Sequence, residues 1–130
     1  VIYLLDVNAL IAAGYAQHLF HSRMAAWVER DHPEVATTPI TELGFVRILS
    51  QTHLYRLSLE EARVLLIRLK SSPDILCFSF IPDDHDISHL PPWVKTSKDT
   101  TDGHLAELAK AHGAMLATLD ESIPGSYLIN

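Results

Sequence analysis

The sequence predicts one three-layer α/β domain: a mostly parallel sheet with helices on both faces. Short strand-like runs alternate with helical stretches from end to end, and such alternation places each strand parallel to the last through a helical crossover. The opening run VIYLL is apolar throughout, as a strand buried on both faces requires. At 130 residues the chain suits a single domain spanning 1–130, of a size whose core removes roughly 68–70% of the unfolded chain's surface from water.

VIYLL is the first strand, and NALIAAGY a helix that ends near Gly14. From His18 to Asp31, Phe20, Met24, Trp27 and Val28 recur at helical spacing and mark a core-facing side. EVATT, Glu34 to Thr38, is the next strand. Pro39 then opens the helix PITELGFVRILSQ, at a position where proline's missing N–H costs nothing. This helix is apolar nearly all round, which predicts burial. In SLEEARVLLIRLKSS, Ser58 and Glu61 form a capping box, with Leu59, Ala62, Leu66 and Leu69 on one face. ILCFSFIP reads as a strand from its β-branched and aromatic content. The stretch from Pro82 to Lys98 has no period, and so long a connection in a compact domain is often functional. DTTDGHLAELAKAHG is a helix closed by Gly113, AMLATL a strand, and SYLIN a last edge strand.

Composition narrows the function. Hydrophobic residues at 48% and charged ones at 20% are those of a globular chain. No run approaches the ~20 apolar residues of a membrane span, and VIYLL lacks the basic flank of a secretory signal, so a soluble, cytoplasmic protein is expected. The lone Cys77, read as a small apolar strand residue, suits a reducing compartment. A formal charge of −6 disfavours indiscriminate nucleic-acid binding, which rests on many Lys and Arg. Acidic clusters serve nucleic acid only where they hold cations that reverse the local charge.

Four acids fall at joints between elements rather than on solvated faces. Asp6 ends the first strand, Glu42 lies in the first turn or so of the third helix, Asp102 opens DGHLAELA, and Asp120 ends ATLD. In a parallel sheet the carboxyl ends of strands and the amino ends of the following helices share one edge, so these four can converge. Singly, each has a structural explanation: helix capping for Asp6, Asp102 and Asp120, an ion pair with Arg47 or a lysine for Glu42. Together they would repel one another unless a cation sits between them. Oxygen-only ligation suits Mg²⁺ or Mn²⁺, ions that activate water and stabilise displacement at phosphorus. Asn8 and Thr118, two residues from Asp6 and Asp120, are placed to orient a carboxylate or a water.

At LLDVNALIA, ATTPITELGFVRILSQ and TTDGHLAELAKAHGAMLATLD the sequence resembles the PIN-domain ribonucleases, in particular VapC-type toxins of bacterial toxin–antitoxin pairs. The likeness covers nearly the whole chain. It implies a PIN-like five-stranded parallel sheet between helices and metal-dependent cleavage of single-stranded or looped RNA. It implies that Asp6, Glu42, Asp102 and Asp120 form the acidic site, with Asn8 and Thr118 as polar helpers. In that reading Asp6, Asp102 and Asp120 hold Mg²⁺ (or Mn²⁺) directly or through water, and Glu42 acts through water or as a base. A homodimer and an antitoxin inserting a basic residue at the acidic site follow from the same resemblance. Asp99 departs from the pattern as a fifth acid one turn upstream of the TD pair, either a helix cap or a ligand for a second ion.

Other signals carry less. His18 and His21, and His85 and His89 among Asp83, Asp84 and Asp86, could suggest zinc, but there is no HExxH and no cysteine partner. Basic residues are few, so an RNA contact would draw on a small set such as Arg23, Arg47, Lys95 and Lys98; Trp93 reads as a loop anchor rather than a stacking platform. An aspartyl-phosphate phosphatase would need a second Asp where Asn8 stands, and a receiver domain an acid pair before the first strand. A non-catalytic module binding a basic peptide at the acidic edge is the remaining alternative.

Overall fold

A computed structural model describes residues 1–51, 53–120 and 122–130. Five parallel strands, β1 (Ile2–Leu5), β2 (Glu34–Thr37), β3 (Cys77–Phe80), β4 (Ala114–Thr118) and β5 (Tyr127–Leu128), form one sheet in the order β3-β2-β1-β4-β5. The helices are α1 (Val7–Gly14), α2 (His21–Asp31), α3 (Pro39–Gln51), α4 (Leu59–Lys70) and α5 (Thr100–Ala111). The chain therefore moves outward from β1 through β2 to β3, then returns to place β4 on the other side of β1. That reversal is the switch point at which open parallel sheets bind ligands.

Successive strand residues pack on opposite faces, following the two-residue period of a strand. Leu5, Val35 and Ala117 join Ala9, Leu10, Trp27, Phe45 and Leu66 in one core; Leu4, Ala36 and Leu116 join Leu105, Leu108 and Ala109 in the other. Leu4, Leu5, Val35 and Ala36 are wholly buried, which is why VIYLL carries no polar residue. Gly44 lets α3 approach α1 closely: a Cβ there would lie 2.7 Å from Val7 Cγ2. This contact fixes the start of α1, immediately after Asp6.

Several expectations need correction. The second helix begins at His21 rather than His18, because His18 Nδ1 accepts the Phe20 N–H at 3.0 Å and closes a local turn. The third helix is not buried all round: Leu43 is 65% exposed and faces a groove shared with Ile67 and Phe80. Leu59 of α4 is exposed too, while Ala62 and Leu66 face the core, and the Ser58–Glu61 capping box forms as read. Cys77 is in a strand but exposed, because β3 is an edge. The long connection contains two single 3-10 turns, Ile87–His89 and Ser97–Asp99, and Trp93 packs partly buried against the second core. Among the described residues, no helix is long and apolar enough to cross a membrane.

Candidate active site

Asp6 follows β1 and caps α1: its Oδ1 accepts the Ala9 N–H at 2.8 Å, while its own N–H reaches Ala117 O at 3.1 Å. The capping explanation of Asp6 is thus realised, yet it occupies one carboxylate oxygen and leaves the other available. Asp6 is buried, and burial raises its pKa against the opposing bonds from Thr118 and Ala9; Asp120 pushes in the same direction as burial.

Asp120 stands just beyond β4, on the opposite side of the switch point. Its Oδ1 accepts the Ser122 N–H at 2.9 Å and the Ser122 hydroxyl at 2.8 Å, and these bonds, together with Lys98, lower its pKa. Its backbone N–H donates to Thr118 Oγ1 at 3.0 Å. Thr118 is wholly buried, and its hydroxyl also favours the ionised form of Asp6, so it bears on both acids.

Asp102 comes from the other side of the sheet, in the first turn of α5. Its pKa is pushed up to about 6, first by burial and then by the charges of Asp6, Asp120 and Asp99. The capping reading of this helix start fails: Asp99 occupies the N-cap position but makes no side-chain cap bond, and instead accepts the Thr96 hydroxyl at 3.2 Å. Asp99 therefore adds negative charge near Asp102.

Asp6, Asn8, Asp102 and Asp120 line one cleft of about 310 Å³. Glu42 does not line it. Its Oε2 accepts from the Thr37 hydroxyl at 2.6 Å and from Lys70 Nζ at 2.5 Å, beside the groove of Leu43 and Phe80. The ion-pair explanation weighed for Glu42 is therefore the arrangement present, with Lys70 as the partner.

The donor chemistry of the cleft is hard oxygen, and burial with mutual repulsion raises the pKa of Asp6 and Asp102. Among the described residues, however, no three His, Cys, Asp or Glu side chains are gathered so as to hold a metal ion directly. Both features suit an ion that retains waters and binds through one or two carboxylates, as Mg²⁺ does. They do not suit zinc. His85 and His89 stack at 4.0 Å, His104 Nε2 meets Asp83 at 2.7 Å and His112 meets Asp84 at 3.2 Å, so these imidazoles are spent on ring stacking and carboxylate pairs.

Sequence reasoning did not single out Tyr55, His18's bond to Asn8, or Lys70. Tyr55 lines the cleft from the loop after α3, and that loop carries no motif. Lys70 is 28 residues from Glu42, a separation no periodicity reveals.

Comparison with known proteins agrees with this fold. Residues 3–124 match the PIN domain family. The chain is 34% identical over 128 residues to Ribonuclease VapC39 of Mycobacterium tuberculosis, covering 95% of this chain and 91% of that protein. It is 32% identical over 124 residues to Ribonuclease VapC38 of the same organism, covering 92% and 86%. Among solved structures, M. tuberculosis VapC20, described as a sarcin–ricin-loop-cleaving toxin, superposes with a TM-score of 0.64 at 15% identity, covering 95% of this chain and 92% of that one. VapBC2 of Rickettsia felis, bound to a fragment of promoter DNA, gives a TM-score of 0.57 at 16% identity, covering 98% and 97%.

Proposed function

Because the chain belongs to the PIN-domain family and is similar along most of its length to VapC ribonucleases, we propose that it is a Mg²⁺- or Mn²⁺-dependent endoribonuclease, the toxin of a toxin–antitoxin pair. The observation that carries this reading is the meeting of Asp6, Asp102 and Asp120 in one cleft at the switch point.

In this proposal each acid has a separate task. Asp6 and Asp120 each have one oxygen fixed by local donors, which aims the other into the cleft. Asp102 lacks such a tether, and its raised pKa near 6 makes it the readiest of the three to exchange a proton with water. These oxygens would hold a divalent ion directly or through its waters, and the chemistry it would supply there is acidification of water and stabilisation of charge on a phosphoryl group. Thr118 keeps Asp6 and Asp120 in register, and Asn8 offers an amide beside them. Lys98, whose charge reaches Asp120, is the cation best placed for a phosphate. Glu42 retains an outer role through water or as a base, which requires its release from Lys70. Asp99 is either a helper to a second ion or a source of field alone.

The partners follow from the same chemistry. The substrate is an RNA phosphodiester, approached as single-stranded or looped RNA. The antitoxin is expected to insert an arginine or lysine at the acidic edge, arginine being favoured because its fork engages two carboxylate oxygens. A homodimer and a cytoplasmic site of action belong to this proposal as well. The test is to incubate the purified chain with total RNA and Mn²⁺ and map new ends. Cleavage that stops with EDTA and with Asp6→Asn supports the proposal. Intact RNA with wild type favours the non-catalytic module, and equal cleavage by Asp6→Asn means that the assigned centre is wrong.

A further inference from the structure

A second cleft, of about 470 Å³, adjoins the acidic one, and the two share Asn8 and Tyr55 in their walls. Its character is different: Tyr15, His18, Phe20 and Tyr55 supply aromatic surface, and none of these four is fully buried. Leu19 and Leu54, also in its walls, are 84% and 79% exposed. Tyr15 meets Tyr55 edge-on, with ring planes at 89° and centroids 5.2 Å apart, and so props the Tyr55 ring from the side. Nothing in the chemistry described so far uses this surface.

The polar contact at the junction of the clefts has a defined direction. His18 Nδ1 accepts the Phe20 N–H at 3.0 Å, so the ring proton lies on Nε2. Nε2 then donates to Asn8 Oδ1 at 2.8 Å. Burial and His21 both lower the His18 pKa, which favours the neutral ring. With its oxygen engaged, the Asn8 amide can present only its NH₂ group to the clefts, and no described residue accepts from it.

We propose that this aromatic cleft is a nucleobase subsite: it takes one unpaired base of the RNA strand next to the phosphate at the carboxylates, stacked on Tyr55, with His18 as the positioning residue for the Asn8 donor. The inference rests on the ribonuclease reading above and adds to it what the neighbouring nucleotide touches. A base is the occupant that fits. Its flat π-face matches partly exposed aromatic rings, its carbonyl or ring-nitrogen acceptors match the Asn8 NH₂, and continuity with the acidic cleft puts it one nucleotide from the scissile bond. An antitoxin segment inserted at the carboxylates would also reach the aromatic walls, but an amino-acid side chain there does not combine a flat π-face with in-plane acceptors for the Asn8 NH₂, as a base does. The site also explains how a chain of net charge −6 can grip RNA with few cations: stacking does not depend on phosphate neutralisation.

The test compares two fluorescent 2′-O-methyl hexanucleotides with equal numbers of phosphates, one with all bases and one abasic, by anisotropy in Ca²⁺ at protein concentrations up to the high micromolar range. Wild type should prefer the base-bearing strand by about tenfold or more, the scale of one base–aromatic stack. Tyr55→Phe should retain that preference, Tyr55→Leu should lose most of it with a melting temperature close to wild type, and His18→Ala should weaken it severalfold. Equal affinity for both strands, no measurable binding of either, or a preference unchanged in Tyr55→Leu would overturn the subsite. Its failure is separable from that of the reading beneath it: if Mn²⁺ still binds and RNA is still cut, the subsite alone is wrong, whereas loss of both removes the ribonuclease assignment.

Discussion

Thr118 braces Asp120: its Oγ1 accepts the Asp120 N–H at 3.0 Å, and its buried hydroxyl also lowers the pKa of Asp6. One buried side chain at the end of β4 thus spans the switch point between β1 and β4. Thr118→Val keeps the shape but removes the acceptor of the part-buried Asp120 N–H and the hydroxyl that favours the ionised form of Asp6. It should cost about 1–3 kcal/mol of stability and lower RNA cleavage about 10-fold or more, the scale of losing a group that orients a metal ligand. Thr118→Ser should restore most of both. Chemical denaturation and cleavage rates for the three proteins check this, and a Val variant as active as wild type would refute the tether.

The raised pKa of Asp102 makes a signed prediction about pH. Between the ordinary 3.8 and about 6 the folded protein holds this proton more tightly than the unfolded chain does. The group's contribution is therefore most favourable below that window and is lost as pH rises through it. Asp102 is only about half-buried, so solvent screening reduces the effect. Asp120 is shifted the other way, so the informative quantity is the difference between wild type and Asp102→Asn. Without metal, the variant should melt above wild type at pH 7.5, with the gap closing towards pH 4. A gap that stays constant with pH would contradict the repulsion.

Divalent ions should act on the same charge. Mn²⁺ at ~100 times its Kd stabilises a protein that binds it only when folded by about 2.7 kcal/mol. The rise in melting temperature should be full at pH 7.5 and much smaller at pH 5, where protons compete for Asp102. An equal rise at both pH values would show that the ion binds elsewhere.

Glu42 and Lys70 face each other across α3 and α4 with side chains 26% and 31% exposed. A half-sheltered pair of this kind should couple by about 1 kcal/mol, read from a double-mutant cycle of Glu42→Gln and Lys70→Met by urea denaturation. Strict additivity would mean that the contact has no energetic content.

Much of this arrangement was legible because it rests on local rules. The strand–helix alternation, Pro39 at a helix start and the Ser58–Glu61 box each encode structure within a few residues, and each element formed where they pointed. Asp6, Asp102 and Asp120 could be brought together on paper because a parallel sheet sends all strand ends to one edge. What escaped depends on distant packing. Leu43 reads as core but lines an open groove, since sequence does not say how far α4 stands from α3. Glu42 reads as a member of the acidic edge, but a lysine from the end of α4 reaches it. Tyr55 has no periodicity to mark it, and only the folded chain places it between two clefts.

The proposed site has Asp6, Asp102 and Asp120 share a divalent ion directly or through its waters, and the most direct measurement is a Mn²⁺ titration followed by electron paramagnetic resonance, with wild type beside the Asp6→Asn/Asp120→Asn double variant at pH 7.5. Saturable binding by wild type, reduced about 100-fold or more in a double variant that still melts cooperatively, is the predicted result; the scale follows from outer-shell changes alone costing up to about 100-fold. Identical titrations for the two proteins, or no saturable binding by wild type, would contradict it.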